Sequence, residues 1–254
     1  MIHQTYITDH ILLLELDNPP ANALAKAMKI QMMKIMDKVE QNTELRAIII
    51  TGRGTKFCSG DDLKEAAHNA KTEHGIIQNL RDFSAVIDRF EALEIPIIAA
   101  INGWCIGGGL ELALCCDIRV AVPDAKFISA GVNVGLTASA FRLPRLIGIG
   151  RAKRLLLTGD TINAKTALEY GLITDVFDSN LLLAEAIKIA KTIAQKAPLA
   201  IKATKNIANQ SLDLDYEKGL KFQQEQLENL SKTQDHKMAL EAFLEKRKPI
   251  FEGK

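Results

Sequence analysis

Residues 95 to 121, IPIIAAINGWCIGGGLELALCCDIRVA, give the strongest indication of the fold that this sequence is expected to adopt. This stretch begins with an apolar, β-branched run, passes through three consecutive glycines (Gly107, Gly108 and Gly109), and continues into an apolar run that contains Glu111. A short run of this kind that ends in glycine is typical of a strand buried on both faces. We predict a helix over residues 110–116 and a second strand at DIRVAV, and therefore one strand–turn–helix–strand unit.

The same alternation of strands and helices recurs along most of the chain. RAIIITG (46–52) and LITDVF (172–177) are further strand-like runs, and segments able to form helices separate them. At the N-terminus, residues 6–7 and 11–16 predict a hairpin, and residues 25–39 carry apolar residues at helical spacing. This alternation favours an α/β architecture with crossover helices over a β-sandwich.

The C-terminal part of the sequence differs in class from the rest. From residue 181 onward we predict helices over 181–195, 198–210, 216–230 and 235–246, with no further strands. We therefore divide the chain into a core of residues 1–196 and a helical oligomerisation region of residues 197–254. A helical region this short needs another surface to bury its apolar face, so subunit association is expected.

Composition and charge exclude several classes of partner. The 254 residues carry 32 Lys and Arg against 31 Asp and Glu, for a formal net charge of +1, which gives no global reason to expect binding to nucleic acid or a membrane. The N-terminal segment lacks the basic, apolar and small-residue order of a secretory signal, so we expect a cytoplasmic protein. The most apolar region is short and is interrupted by Asn102, so it is expected to lie in the core.

No metal or nucleotide phosphate site is implied by the motifs. The four cysteines lack the CxxC spacing of zinc sites and are expected to be buried, reduced thiols, and the five histidines lack HExxH spacing. Neither GxxxxGK[ST] nor GxGxxG occurs between a strand and a helix. The cysteines are Cys58, Cys105, Cys115 and Cys116.

Two glycine-containing turns are the candidate chemical site. GTKFCSGDDLKE (54–65) follows the strand RAIIITG just as INGWCIGGGLE follows IPIIAA. Each turn is able to offer one backbone N–H, and two such groups would form an oxyanion hole. The same residues are equally consistent with a tight turn alone, with Glu111 a solvated carboxylate in the first turn of a helix. Asp61 and Asp62 are favoured as helix-capping residues.

These motifs resemble the crotonase superfamily, the enoyl-CoA hydratase/isomerase group. The resemblance runs through FCSGDDLKE, the stretch of residues 95–121, LPRLIGIGRAKRLLLTGDTINAKTALEYGLI and AFLEKRKPIF, in order and over nearly the whole chain. It implies a crotonase-like spiral of ββα units followed by a helical trimerisation region, assembled as a homotrimer or homohexamer. The substrate would be an acyl-CoA thioester, with coenzyme A as part of that substrate and no separate cofactor.

The resemblance also implies the site residues. The thioester oxygen would accept hydrogen bonds from the amides of Asp61 and Gly108, with an enolate as intermediate and Glu111 as acid/base. We expect the Asp61 side chain to face solvent or a helix terminus. Phe243 and Lys246 would reach the nucleotide end of coenzyme A from a neighbouring subunit. The substrate-binding residues are Ala23, Ser59, Gly60, Asp61, Asp62, Leu63, Gly108, Phe243 and Lys246.

The sequence departs from the family pattern beyond the strand that is predicted at DIRVAV. Hydratases of the family carry a second acidic residue there, and in AKFISAGVNVGL that position is Gly131, which has no group to move a proton. The turn that follows, GLTASAFRLPRL, is also a few residues shorter than usual. Hydration by the route that uses two carboxylates becomes doubtful, whereas double-bond isomerisation remains open.

Three hypotheses follow from this departure. The first is a lyase or isomerase in which Glu111 moves a proton next to the stabilised enolate. The second is an acyl-CoA decarboxylase or thioester hydrolase that uses the same oxyanion hole with other helpers. The third is a catalytically weak member that binds acyl-CoA or a protein partner without turning substrate over. The candidate helpers of the second hypothesis are His68, His74, Ser129, Asn133 and Ser139.

Overall fold

Short strands alternate with helices through the first two thirds of the chain. The computed structural model describes residues 1–69 and 71–254. Its strands are β1 (Ile2–Thr8), β2 (Ile11–Leu16), β3 (Ala47–Gly52), β4 (Lys56–Cys58), β5 (Ile97–Ile101), β6 (Trp104–Ile106), β7 (Ile118–Ala121), β8 (Lys126–Ile128), β9 (Thr161–Asn163) and β10 (Asp175–Val176).

The strands form two sheets that the chain visits in turn. One sheet has the order β1-β2-β3-β5-β7-β10 and the other the order β4-β6-β8-β9. The pairs β1·β2 and β8·β9 are antiparallel, and all other neighbours are parallel. Strands β3, β5 and β7 of the first sheet are each followed directly by β4, β6 and β8 of the second, which makes the spiral of ββα units.

The helices lie between these strand pairs and at the C-terminus. They are α1 (Lys26–Gln41), α2 (Leu63–Asn69), α3 (Glu73–Glu91), α4 (Gly108–Leu114), α5 (Arg142–Ile147), α6 (Ile149–Thr158), α7 (Ala164–Tyr170), α8 (Leu182–Ala194), α9 (Pro198–Gln210), α10 (Tyr216–Leu230) and α11 (Gln234–Leu244), with a 3₁₀ helix at Gly131–Val134. Within the described ranges, no helix combines the length and hydropathy needed to cross a bilayer.

The hydrophobic core forms around the parallel strands. Every residue of β3 and β5 is buried, because helices or the second sheet cover both faces of these strands. Helix α1 adds a buried stripe of Met28, Met32, Ile35, Met36 and Val39. The predicted α/β architecture and its crotonase-like spiral are confirmed. The predicted division at residues 196 and 197 stays a prediction.

Two predicted elements differ from the structure in extent. Helix α4 begins at Gly108, not at residue 110, because Gly108 and Gly109 have no side chains to keep the helix away from Phe83 and the Cys58 backbone. The predicted strand LITDVF is reduced to Asp175–Val176, since Leu172 and Ile173 already pack in the core after α7. Neither difference alters the position of the glycine turns.

Candidate active site

The two glycine turns meet at one edge of the second sheet. Strands β4 and β6 are parallel neighbours, so their carboxyl ends lie side by side and the turns that follow them are in contact. Gly60 has a φ of +90°, and a Cβ added to it would lie 2.5 Å from the Gly108 nitrogen. Only glycine combines that backbone conformation with so close an approach. The sequence-predicted juxtaposition of Asp61, which follows Gly60, with Gly108 is therefore present.

The amides of Asp61 and Gly108 remain available to a ligand. Among the described residues, neither N–H donates a hydrogen bond to the protein, whereas the neighbouring Gly107 N–H donates to Ile128 O at 2.9 Å. Gly108 is the first residue of α4, where backbone N–H groups lack partners within the helix and carry the positive end of its dipole. Gly108 is also partly exposed. Backbone N–H donors without protein partners suit an oxygen that gains negative charge.

The Asp61 side chain does not lie where the sequence predicted. It faces neither solvent nor a helix terminus, because Lys29 Nζ donates to its Oδ1 at 2.8 Å and Asn79 Nδ2 donates to its Oδ2 at 2.5 Å. Lys29 is only 3% exposed and also donates to Asn79 Oδ1 at 2.9 Å. The expectation that Asp61 caps a helix is therefore wrong. The ion pair neutralises a carboxylate that would otherwise oppose negative charge at its own amide.

Asp62 caps a helix as predicted. Its Oδ1 accepts hydrogen bonds from the Lys64 and Glu65 amides, at 2.9 and 3.2 Å, at the start of α2. Such a cap satisfies amide groups that would otherwise have no partner at the helix N-terminus. Asp62 thus fixes the end of the turn that contains Asp61.

The NAL turn lies against the first glycine turn. Leu24 N donates to Gly60 O at 2.7 Å and Ser59 N donates to Ala21 O at 3.0 Å, so the backbone of residues 21–24 runs beside that of residues 59–61. Ala23 and Ser59 are partly exposed there. The two segments form one continuous rim next to the free amides.

Asn22 holds this rim in place. It is 2% exposed, and its Nδ2 donates to the carbonyl oxygens of Arg53 and Lys56 at 2.9 and 2.8 Å. Its backbone has a φ of +55°, which asparagine tolerates better than most residues. The sequence analysis did not identify Asn22, although an asparagine directly after PPA is a recognisable turn signal.

Glu111 lies in the first turn of α4, and Arg142 from α5 holds it. Arg142 Nη1 donates to Glu111 Oε1 at 2.5 Å, and the Glu111 side chain is 13% exposed. Its other oxygen, Oε2, is buried and has no hydrogen-bond partner among the described residues. Glu111 is therefore not a solvated surface carboxylate, and one of its two oxygens remains free to accept a proton.

Arg142 joins Glu111 to two carboxylates of α3. Its Nη2 donates to Glu91 Oε2 at 2.7 Å and to Asp88 Oδ1 at 2.9 Å. Burial lowers the pKa of Arg142, but the hydrogen bonds with Glu91 and Glu111 outweigh burial and hold that pKa above its usual range. The guanidinium therefore stays charged and keeps a fixed bridge between α3, α4 and α5.

Gly131 is closed to any larger residue. It is buried, and a Cβ at this position would lie 2.6 Å from Ala138 N and 2.8 Å from Leu136 O. The following loop has folded into the space that a side chain would need. The absence of a second carboxylate here, predicted from the sequence, is thus accompanied by a loop that fills the same space.

Among the predicted binding residues, Phe243 and Lys246 belong to the C-terminal helical region, whereas Leu63 lies in the first glycine turn and begins α2. Leu63 and Phe243 are 63% and 80% exposed, and Lys246 is exposed after the end of α11. Their role in binding stays a prediction. Among the candidate helper residues, His68 and His74 are exposed. Asn133 Nδ2 donates to Gly159 O at 3.4 Å and Ser129 Oγ donates to Ala138 O at 3.2 Å, whereas Ser139 Oγ has no partner among the described residues.

The four cysteines are free and buried, as predicted. Burial raises the pKa of the Cys58 thiol to about 12 and that of Cys116 to about 12. Burial also raises the pKa of Cys105 and Cys115. The thiols are therefore neutral and unsuited to nucleophilic attack. Over the described part of the chain, no group of three or more His, Cys, Asp or Glu side chains has the geometry of a metal site.

The sequence analysis missed Lys29, Asn79 and Arg142. Lys29 carried a detectable signal, because it interrupts the apolar stripe of α1 three residues before Met32 and seven before Met36. A lysine within such a stripe needs a buried partner. Arg142 carried no comparable signal, since its contact with Glu111 depends on how the loop after Gly131 folds.

Comparisons with known proteins agree with this geometry. The family model described as enoyl-CoA hydratase/isomerase matches residues 7–254. The crotonyl-CoA hydratase of Syntrophomonas wolfei is 37% identical over 97% of this chain and 96% of its own, and the short-chain-enoyl-CoA hydratase of Clostridium acetobutylicum is 38% identical over 89% and 88%. The crystal structure of an enoyl-CoA hydratase from Bacillus anthracis superposes with a TM-score of 0.95 at 35% identity, covering 100% of this chain and 99% of that one. The chain therefore belongs to the enoyl-CoA hydratase/isomerase family of the crotonase superfamily and is an enzyme of that family.

Proposed function

We propose that the enzyme stabilises the enolate of an acyl-CoA thioester between the amides of Asp61 and Gly108, and that Glu111 transfers the proton at the adjacent carbon. The observation that carries this proposal is the contact between Gly60 and Gly108, which brings two amides without protein partners together at the start of α4. Glu111, on the first turn of that helix, supplies the carboxylate.

The chemical step follows from these groups. When Glu111 Oε2 takes a proton from the carbon next to the thioester carbonyl, the electron pair of the broken C–H bond moves into the carbonyl and leaves negative charge on its oxygen. The two N–H groups stabilise that charge, and one such donor is typically worth about 10²–10³-fold in rate. Because Lys29 neutralises the Asp61 carboxylate, the negative charge of that carboxylate does not oppose the step.

A single carboxylate supports two reactions that share this enolate. In isomerisation, Glu111 removes a proton at one carbon and returns it two carbons away. In hydration or its reverse, the same carboxylate exchanges a proton with water. The names of the relatives, which refer to hydration of crotonyl-CoA and short-chain enoyl-CoA, favour the second reaction for this chain. Proton transfer of either kind requires no cofactor besides the coenzyme A of the substrate.

Substrate binding and assembly are part of the same proposal. The rim formed by Ala23, Ser59, Gly60, Asp62 and Leu63 would contact the coenzyme A portion. Phe243 and Lys246 of a neighbouring subunit would reach its nucleotide end. Helix α10 supports a homotrimer or homohexamer, because none of its residues is buried and it exposes Tyr216, Leu220 and Leu227.

The test is an assay of purified protein on 2-enoyl, 3-enoyl, 3-hydroxyacyl and malonyl-type CoA esters. We expect turnover of 2-enoyl or 3-enoyl esters, and a loss of about 10²–10⁴-fold in Glu111→Gln because one acid/base group is removed. Glu94→Gln is the matched control, since Glu94 is an exposed carboxylate that binds Lys202. Tight acyl-CoA binding without turnover would contradict the proposal and favour a binding protein. Turnover of malonyl-type esters alone would favour decarboxylation or hydrolysis.

A further inference from the structure

Two buried side-chain oxygens of the described chain have no hydrogen-bond partner, and they are Glu111 Oε2 and Ser139 Oγ. Buried polar atoms in folded proteins are nearly always paired, because leaving one without a partner is unfavourable. Replacing the serine with alanine would remove the unpaired hydroxyl and the free-energy cost of burying it. A buried serine hydroxyl that lacks a partner, in the segment between Gly131 and Arg142, therefore points to a ligand that supplies the missing partner.

The backbone conformation of Ser139 is a second unfavourable feature of this residue. Its backbone has a φ of +60°, in the left-handed region that residues other than glycine seldom adopt, and the residue is only 3% exposed. Conformations of this kind persist where the surrounding structure imposes them, and they concentrate at functional sites. One residue thus combines a strained backbone with an unsatisfied hydroxyl.

The position of Ser139 connects it to both parts of the acid/base region. Residues 136–138 pack against Gly131, and Ser129 Oγ donates to Ala138 O at 3.2 Å, which fixes the residue before Ser139. Ser139 O accepts from Leu143 N at 3.0 Å, at the start of α5. Arg142, three residues after Ser139, holds Glu111 Oε1. Ser139 therefore lies in the segment that runs from Gly131 to the partner of Glu111.

We propose that Ser139 Oγ and Glu111 Oε2 together bind the oxygen that adds to, or leaves, carbon 3 of the acyl group. This inference rests on the proposed function and deepens it, because it adds Ser139 to the groups that would distinguish 2-enoyl-CoA and 3-hydroxyacyl-CoA from other acyl-CoA esters. A 3-enoyl-CoA undergoing isomerisation carries no oxygen at carbon 3 and leaves the serine hydroxyl without a ligand. The serine is a substrate-binding group and exchanges no proton in the net reaction.

The step balances with one carboxylate. Water bound to both oxygens gives one proton to Glu111 Oε2, and its oxygen forms the bond to carbon 3. The electrons of the double bond between carbons 2 and 3 move toward the thioester and form the enolate, which the amides of Asp61 and Gly108 stabilise. Glu111 then returns its proton to carbon 2. The carboxylate is regenerated, and one water molecule has been added.

The test compares the affinity of two esters that differ in this oxygen. We measure dissociation constants of 3-hydroxybutyryl-CoA and butyryl-CoA by calorimetry for the wild type, Ser139→Ala and Ser139→Gly. Loss of one hydrogen bond predicts binding of the hydroxy ester weakened about threefold to tenfold, with butyryl-CoA unchanged. The melting temperature should stay the same or rise, since the unpaired hydroxyl is gone and glycine also relieves the backbone strain.

Ser129→Ala is the matched control. Ser129 is a buried serine of the same segment, but its hydroxyl is paired with Ala138 O, so its removal should lower the melting temperature and change the affinity of both esters alike. Equal affinities of the wild type and both Ser139 variants for the hydroxy ester would overturn the inference, as would a fall in melting temperature in both variants. If the wild type turned over no ester but the Ser139 selectivity remained, the proposed catalysis would fail and this binding role would stand.

Discussion

Two regions of the candidate site differ in the groups that they offer to a ligand. The first region is the contact between the two glycine turns, and the second region is the segment of residues 129–142. At the glycine contact, the groups offered to a ligand are backbone amides, and the close approach of Gly60 to Gly108 sets their position. In the second region, the groups offered to a ligand belong to side chains. Arg142 holds Glu111, and Ser139 carries an unpaired hydroxyl. In the function that we propose, the first region would bind the part that all acyl-CoA thioesters share, and the second would determine which reaction follows.

This difference has consequences for substitution. A backbone amide persists whatever the side chain is, so the first region is sensitive to volume and backbone conformation. The second region is sensitive to the chemistry of particular side chains. Substitutions in each region separate these two kinds of sensitivity.

The largest effect is expected for Gly60→Ala. The added Cβ would lie 2.5 Å from Gly108 N, and alanine would also be strained at a φ of +90°. Because both amides would move, we expect the kcat/KM of the best ester to fall by about 10³-fold or more. Gly54→Ala is the control: it has a similar φ of +75° but meets no atom within 4 Å, so only a small loss of stability should follow. Equal activity of the two variants would contradict the role of the contact.

The next effect concerns Gly131→Glu, which inserts the carboxylate that hydratases of the family carry. The loop already fills that space, so we expect destabilisation of about 1–3 kcal/mol or more from overpacking, seen as a lower melting temperature, and no gain in hydration. Gly150→Glu makes the same change where a Cβ meets nothing within 4 Å and should leave the melting temperature nearly unchanged. A stable Gly131→Glu variant with faster hydration would show that the loop is not the obstacle.

Lys29→Met tests the ion pair beneath the first turn. It leaves Asp61 without its buried cation, and breaking such a pair typically costs about 3–5 kcal/mol. We expect a lower melting temperature and roughly a tenfold lower kcat/KM, because an unpaired carboxylate would lie beside the developing enolate. Adding Asp61→Asn, which keeps the amide and removes the charge, should restore much of both. Failure of this rescue would show that Lys29 acts by packing alone.

The smallest effect is expected for thiol labelling at pH 8, in which the buried cysteines should hardly react. A pKa of about 12 leaves Cys58 and Cys116 with a thiolate fraction on the order of 10⁻⁴, and burial blocks access as well. The native protein should therefore react with iodoacetamide far more slowly than a cysteine peptide, with the rate rising as pH increases toward that pKa. Mass spectrometry identifies the labelled sites. Selective labelling of Cys115, which lies near Arg142, would show that the second region opens readily.

The sequence predicted the first region better than the second. The glycine turns and the Asp62 cap follow from local patterns, because a strand that ends in glycine and a capping aspartate act on their immediate neighbours. The assignment of the amide donors to Asp61 and Gly108 came from the resemblance to the crotonase superfamily. The Asp61 side chain was predicted wrongly, since its partners Lys29 and Asn79 lie 32 and 18 residues away. The contact between Arg142 and Glu111 spans 31 residues and depends on a loop that local patterns do not specify.

The central claim is that the amides of Asp61 and Gly108 bind one thioester oxygen. A crystal structure with butyryl-CoA tests it most directly, because this saturated ester cannot be hydrated. The account predicts a thioester oxygen about 2.7–3.1 Å from both amide nitrogens. An oxygen that contacts only one amide, or neither, in a fully occupied ligand would contradict it.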